Sequence, residues 1–243
     1  MSLARQLSHD ALDAIVARCG LRELGEPYLA LLSPMSPHPV GACRLFVSSP
    51  DGPERVRKVV YIGITVPPIG LDSHMFFAFT PPESIAPHFT LDSVMSGSSF
   101  AFHLDLIPRV DLGAHLAYMN EVFMPLTPAF EAARKIEGLS PAHLSPRQYA
   151  LMSPWMLAYR ATESAYAQCR PYIEAYLQHW FDLLERGIKT PVDLPPAQLA
   201  ARDRANREAI FSYEVDPVWS QIERLLGRET NLKLIDLLRA QDV

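Results

Sequence analysis

Cysteine is scarce in this chain and scattered. Cys19, Cys43 and Cys169 are the only three among 243 residues. Odd in number, with neither CxxC nor Cys/His zinc spacing, they argue against a structural zinc or an iron–sulfur cluster and predict reduced thiols in a cytoplasmic protein. Positive charge is also short: 22 Lys and Arg against 27 Asp and Glu leave a formal charge of −5. That balance gives no reason to expect nucleic acid, whose recognition usually leaves a basic excess. No run is long and apolar enough to span a bilayer, so no membrane partner is expected. The opening MSLARQLSHDALDAIVARCG is amphipathic and broken by charge, unlike a signal peptide. The phosphate-cradling motifs GxGxxG and GxxxxGK[ST] are absent, as are HExxH and the GxSxG nucleophile turn, which SGSS at 96–99 does not supply. No motif therefore supports a bound nucleotide, flavin or metal.

What is present is an ordinary soluble composition, 49% hydrophobic and 20% charged, long enough for one large domain and without a linker at which to divide it. A single domain over 1–243 is expected. Proline is abundant, at 22 residues, and clusters of it stand at 33–41, 50–53, 66–70 and 80–87. They punctuate runs rich in aromatic and β-branched residues at 42–49, 54–65, 71–79, 88–94 and 99–107. The connections are too short for crossover helices, so neighbouring strands should pair antiparallel as a meander. Helical spacing flanks them: Leu3, Leu7, Leu12 and Ile15; Leu116, Met119, Val122 and Phe123; a long helix over 165–185 with a kink expected at Pro171 and a stop at Gly187; and further segments at 196–210 and 225–238. Helices before and after a central antiparallel sheet predict an α+β fold, a three-layer α/β/α sandwich. A sheet covered on one face is the alternative.

The strand pair PHFTLDSVMSGSSFAFHLDLIPR at 87–109 carries acids and histidines inside apolar runs. Alternation puts Phe89, Leu91 and Ser93 on one face and His88, Thr90 and Asp92 on the other, across an apparent hairpin turn at Met95–Ser98. In the second strand, Phe100, Phe102, Leu104 and Leu106 share a face opposite His103 and Asp105. Asp92 reads either as a carboxylate on a solvated sheet face or as a proton donor in a pocket, tuned by its neighbours. Asp105 has the same two readings, with Arg109 a structural partner for it. His74, alone in an aromatic strand, reads first as a core residue. Asp216 precedes Pro217, the arrangement of a helix N-cap. Arg202, Arg204 and Arg207 suit a solvated helix face or a carboxylate clamp.

The runs APHFTLDSV (86–94), GSSFAFHLDLIPRVDL (97–112), LAYMNEVF (116–123) and ARDRANREAIFSYEVDPVWSQIERLLG (201–227) resemble plant red chlorophyll catabolite reductase and its relatives, the ferredoxin-dependent bilin reductases. The resemblance covers roughly 55–240 and is strongest at 86–112 and 201–227. It implies an α/β/α sandwich and reduction of a linear tetrapyrrole held between sheet and helices. Single electrons would come from reduced ferredoxin as an external partner, protons from acidic side chains, and no cofactor would be resident. Carried over by position, Asp92 stands for the family's strand acid and Asp216 for an acid of the carboxy-terminal segment. His74 lies within about one residue of a catalytic histidine of some bilin reductases, and a slip of one reverses a strand side chain's face. Ile62 stands where some of them keep a glutamate. The expected site is thus catalytic Asp92, Asp216 and His74, with His88, Asp105, Arg202 and Arg204 contacting substrate. A tetrapyrrole binder without turnover, or a reductase of another small molecule, would share most of these features.

Overall fold

The structure, a computed structural model, describes residues 2–50 and 54–242. The turn expected at 50–53 falls largely outside the described residues. In chain order the elements are α1 (Leu3–Cys19), β1 (Leu21–Ser33), β2 (Ser36–Ser48), β3 (Lys58–Val66), β4 (Leu71–Phe79), β5 (His88–Ser96), β6 (Ser99–Ile107), α2 (Leu116–Val122), α3 (Thr127–Ala133), β7 (Leu139–Pro141), α4 (Pro146–Leu151), β8 (Leu157–Ala161), α5 (Glu163–Ala167), α6 (Arg170–Arg186), α7 (Pro196–Ile210), α8 (Val218–Leu226) and α9 (Arg228–Arg239).

The strands form one antiparallel sheet in the order β1-β2-β3-β4-β5-β6-β8-β7. The first six follow the chain as a meander, because each link is too short to do anything but turn back. Alternation then divides the sheet cleanly. Val59, Tyr61, Phe76, Ala78, Phe89, Leu91, Phe102 and Leu104 pack under α1, α2 and α6, while Val60, Ile62, Ile64, Phe77 and Phe79 pack under α8 and α9. Two cores, one on each side, make the α+β molecule a three-layer sandwich and rule out the one-sided alternative.

The boundaries differ from the sequence reading where local chemistry competes. Strand β1 has no clean alternation and contains Gly25 and Pro27. It survives as an edge strand whose pairing with β2 is interrupted between Leu24 and Leu29, where a missing N–H is tolerated. The proline-rich run at 33–41 contributes the first half of β2 and not merely a turn. Pro171 does not kink a long helix. It lies in the first turn of α6, after a break at Gln168–Cys169 that separates α5, a position where proline costs no hydrogen bond. Gly227, at φ 82°, likewise splits the carboxy-terminal helical segment into α8 and α9. Among the described residues no helix is long and apolar enough to cross a membrane.

Candidate functional site

The cleft of interest lies between the sheet and α8. Its floor is built by Ile62 and Ile64 of β3, Ser73 and Met75 of β4, and Asp92 and Val94 of β5. Its roof is Val218, Gln221, Ile222 and Leu225, and its volume is about 360 Å³. The floor follows from strand register. Ile62 pairs with Met75, Met75 with Asp92, and Asp92 with His103, one row running across four strands. Among the described residues Asp92 is thus the only carboxyl in the cleft lining. Behind it lies a smaller chamber of about 40 Å³, which it shares with Met75, His103, Asp216 and Trp219.

The electrostatics follow from burial. Asp92 Oδ1 is buried without a hydrogen-bond partner among the described residues. Burial, reinforced by the nearby Asp216 carboxylate, pushes its carboxyl up to about 7. A neutral or readily neutralised acid at physiological pH is the state a proton donor needs. Burial also raises Asp216. Its Oδ1 accepts the Val218 N–H at 3.0 Å, so the residue caps α8 and faces Asp92's chamber at once. Asp216 thus both meets the first N–H of α8 and borders the chamber. His103, pushed down to about 4 by burial, is neutral.

The other expected site residues lie elsewhere. His74 pairs with Ser93 and so points to the α1 face, away from Asp92. There Asp72 Oδ1 accepts its Nε2–H at 2.7 Å, its Nδ1 accepts the Tyr61 hydroxyl at 2.6 Å, and His9 Nε2 donates to the Tyr61 oxygen at 2.9 Å. Gly63 makes room for this arrangement, since a Cβ there would lie 2.5 Å from the Tyr61 oxygen. Burial outweighs the neighbouring Asp72 and lowers His74 below its ordinary value. A shared cleft role with Asp92 is therefore corrected: His74 is one residue out of the row, and Met75 takes its place.

His88 does face the α8 side of the sheet, but it lies in the fold's buried charge cluster, outside the cleft. Its Nδ1 accepts the Thr80 N–H at 3.0 Å and its Nε2–H donates to Asp203 at 2.7 Å. Asp203 also takes Arg207 Nε at 2.9 Å and meets Arg109 at 3.4 Å. Burial would raise Asp203, but His88, Arg109 and Arg207 hold it well below the carboxylate range, while burial drives His88 down to about 3. Asp105 accepts both the N–H (2.8 Å) and the hydroxyl (2.5 Å) of Ser153, anchoring the loop after α4. It is not paired with Arg109, which goes to Asp203 and the carbonyls of Pro81 and Pro82. Arg202 and Arg204 are exposed on α7 and line neither cavity, whereas Arg207 is buried over the Phe79 ring at 3.9 Å. A substrate-contacting role for His88, Asp105, Arg202 or Arg204 has no support in this arrangement.

Sequence reasoning places His103 beside Asp105 without a role at the site, and misses Trp219. The signal was the hairpin. A turn at Met95–Ser98 would set Asp92 against Ala101, but the turn is Gly97–Ser98, closed by Ser96 and Ser99 and admitted by Gly97 at φ 61°. That places His103 against Asp92.

No protein-family model matches the chain, and no curated protein does so by sequence. Among solved structures, the fold is similar to that of tomato phytochromobilin synthase, determined in complex with biliverdin. The TM-score is 0.75 at 19% identity, over 98% of this chain and 83% of that one. The likeness extends over the whole sandwich.

Proposed function

We propose that the chain reduces a linear tetrapyrrole, a bilin or a chlorophyll catabolite, with electrons from reduced ferredoxin and protons from Asp92 and Asp216. The observation that carries the reading is Asp92: a carboxyl raised to about 7, its Oδ1 buried and without a partner among the described residues, in the floor of an apolar cleft. The similar fold of an enzyme solved with biliverdin supports a ligand of that shape. No Lys or Arg lines the cleft, which suits the conjugated apolar rings of such a pigment and leaves its propionates to solvent. Saturating one double bond takes two electrons, delivered singly by two ferredoxins, and two protons. Each electron makes the pigment more basic, and an acid within reach then protonates it.

Docking of an acidic donor calls for exposed cations. The sequence holds two basic clusters, Arg55, Arg57 and Lys58 and then Arg202, Arg204 and Arg207, and each has one buried member, Lys58 in the first and Arg207 in the second. Arg55 is half-buried. Arg57 is held by Glu54 at 2.6 Å, which leaves the exposed pair Arg202 and Arg204 as the freer candidate surface.

A second reading, a binder without turnover, is favoured by Ile62 and Met75, apolar neighbours of Asp92 in its row. The deciding experiment is an anaerobic assay with reduced ferredoxin and a panel of bilins and chlorophyll catabolites, followed by absorbance. Bleaching or shifting of the pigment bands only when reduced ferredoxin is present supports the reductase. A pigment spectrum shifted by the protein alone, with no further change, selects the binder.

A further inference from the structure

Three buried polar atoms without a hydrogen-bond partner among the described residues belong to side chains of one small chamber: Asp92 Oδ1, His103 Nε2 and the indole N–H of Trp219. Each such atom costs roughly 1–3 kcal/mol if left unsatisfied. Buried polar atoms in folded proteins are satisfied by protein groups or by ordered water. The chamber's volume, about 40 Å³, is far too small for a pigment ring. It exceeds the roughly 10–15 Å³ of such space that a water needs beside two to four polar partners.

We propose that this chamber is a water-binding site in which one water, donated to by Trp219 and shared by Asp92 and His103, makes His103 a positioning residue for the proton on Asp92. The inference deepens the proposed reductase reading, since the acid it concerns is the one assigned there as proton donor. The cross-strand pairing of Asp92 with His103 sets their Cβ atoms about 4.5–5.5 Å apart, so both side chains reach the same small chamber. A hydrogen-bonded water orients the carboxyl so that its proton faces the cleft, and it partly restores the solvation that burial removes. The titratable and charged groups facing the pair are few. Asp216 looks in from the segment before α8, and α4 contributes the neutral Gln148. Asp105, next along the same face of β6, is turned to Ser153. Changes in the titration of Asp92 or His103 therefore report chiefly on each other and on Asp216.

The test uses ligand-free full-length protein, so its outcome does not depend on which pigment, if any, is reduced. Asp92 is followed by carboxyl NMR or infrared titration, and His103 by its imidazole resonances. His103→Phe, which fills the space and removes the polar partner, is expected to raise the Asp92 midpoint by about one pH unit, while His103→Gln keeps it within a few tenths. Trp219→Phe removes the indole N–H that donates to the same water and is expected to raise the Asp92 midpoint in the same sense. Should His103→Phe fail to fold, this second variant decides. Midpoints unmoved in these variants overturn the proposal, even if the protein reduces bilins. Midpoints that move as stated uphold it, even if no pigment is turned over.

Discussion

His74 faces Ser93 across β4 and β5, one position from the pair Met75–Asp92, and this single step puts it on the opposite side of the sheet. Its hydrogen bonds to Asp72 and Tyr61 tie β4 to β3 and, through His9, to α1. His74→Gln is expected to lower stability by about 1–3 kcal/mol, a fall in melting temperature of several degrees. Pigment reduction per folded molecule should stay within about twofold of wild type, because general-acid contributions are far larger than that. A normal melting temperature with turnover lost would restore His74 to the site.

Asp92→Asn preserves shape and removes the proton. Pigment affinity should survive while reduction falls about a hundred- to ten-thousandfold. Stability should move the other way. A carboxyl raised to about 7 in the folded state binds more protons there than unfolded, so its effect on the fold becomes progressively unfavourable from about pH 4 to pH 7. The variant should therefore melt above wild type at pH 8 and close to it at pH 4, which calorimetry at the two values checks.

Asp216 both caps α8 and adds its charge to Asp92's environment. Asn can still accept the Val218 N–H, so Asp216→Asn should cost little stability and Asp216→Ala roughly 0.5–2 kcal/mol. Both should impair turnover. Both should also move the Asp92 midpoint downward, since the neighbouring negative charge that helps raise it is gone. An unchanged midpoint in the Asn variant would show that the two acids do not interact.

The cluster of His88, Arg109, Asp203 and Arg207 is expected to make the protein acid-labile. His88 is depressed in the folded state, so the unfolded chain takes up its proton first, and stability is lost as pH falls from about 6.5 toward 3. Asp203, depressed as well, loses its contribution below the ordinary carboxylate range. Asp203→Asn leaves two buried guanidinium groups without their counter-charge and should cost about 3–5 kcal/mol, read by denaturant unfolding at pH 7.

Arg202 and Arg204 are exposed and away from both cavities. Reversing both to Glu should leave the pigment dissociation constant unchanged and slow ferredoxin-driven reduction several-fold at low salt. The difference should fade as ionic strength approaches about 1 M, where the screening length is about 3 Å. A weakened pigment affinity would instead return these arginines to a propionate-binding role.

The middle of the fold was legible because its signals are local. Alternation in β3 to β6 and the short proline-punctuated links state both faces and the meander, and the apolar stripe of α1 states its buried side. The rest depended on distant partners. Strand β1 has no period of its own and exists because β2 offers it an edge. Asp203 and Arg207, four apart on a polar helix, look like any solvated i, i+4 pair until His88 and Arg109 meet them from the sheet. At the candidate site the two acids could be singled out by type and context. Which residue of β6 meets Asp92 turned on where the hairpin reverses, a register set at Gly97 and not by composition.

Lys58, at the start of β3, donates from its buried amino group to the carbonyls of Leu237 and Asp242, at the end of the chain's last helix. Lifting α8 and α9 off the sheet would strip that group of both acceptors and open the apolar layer beneath. The last helix is accordingly pinned to the sheet by its far end, while at the other end of β3 the cleft lining runs out to Ile69, exposed in the turn before β4.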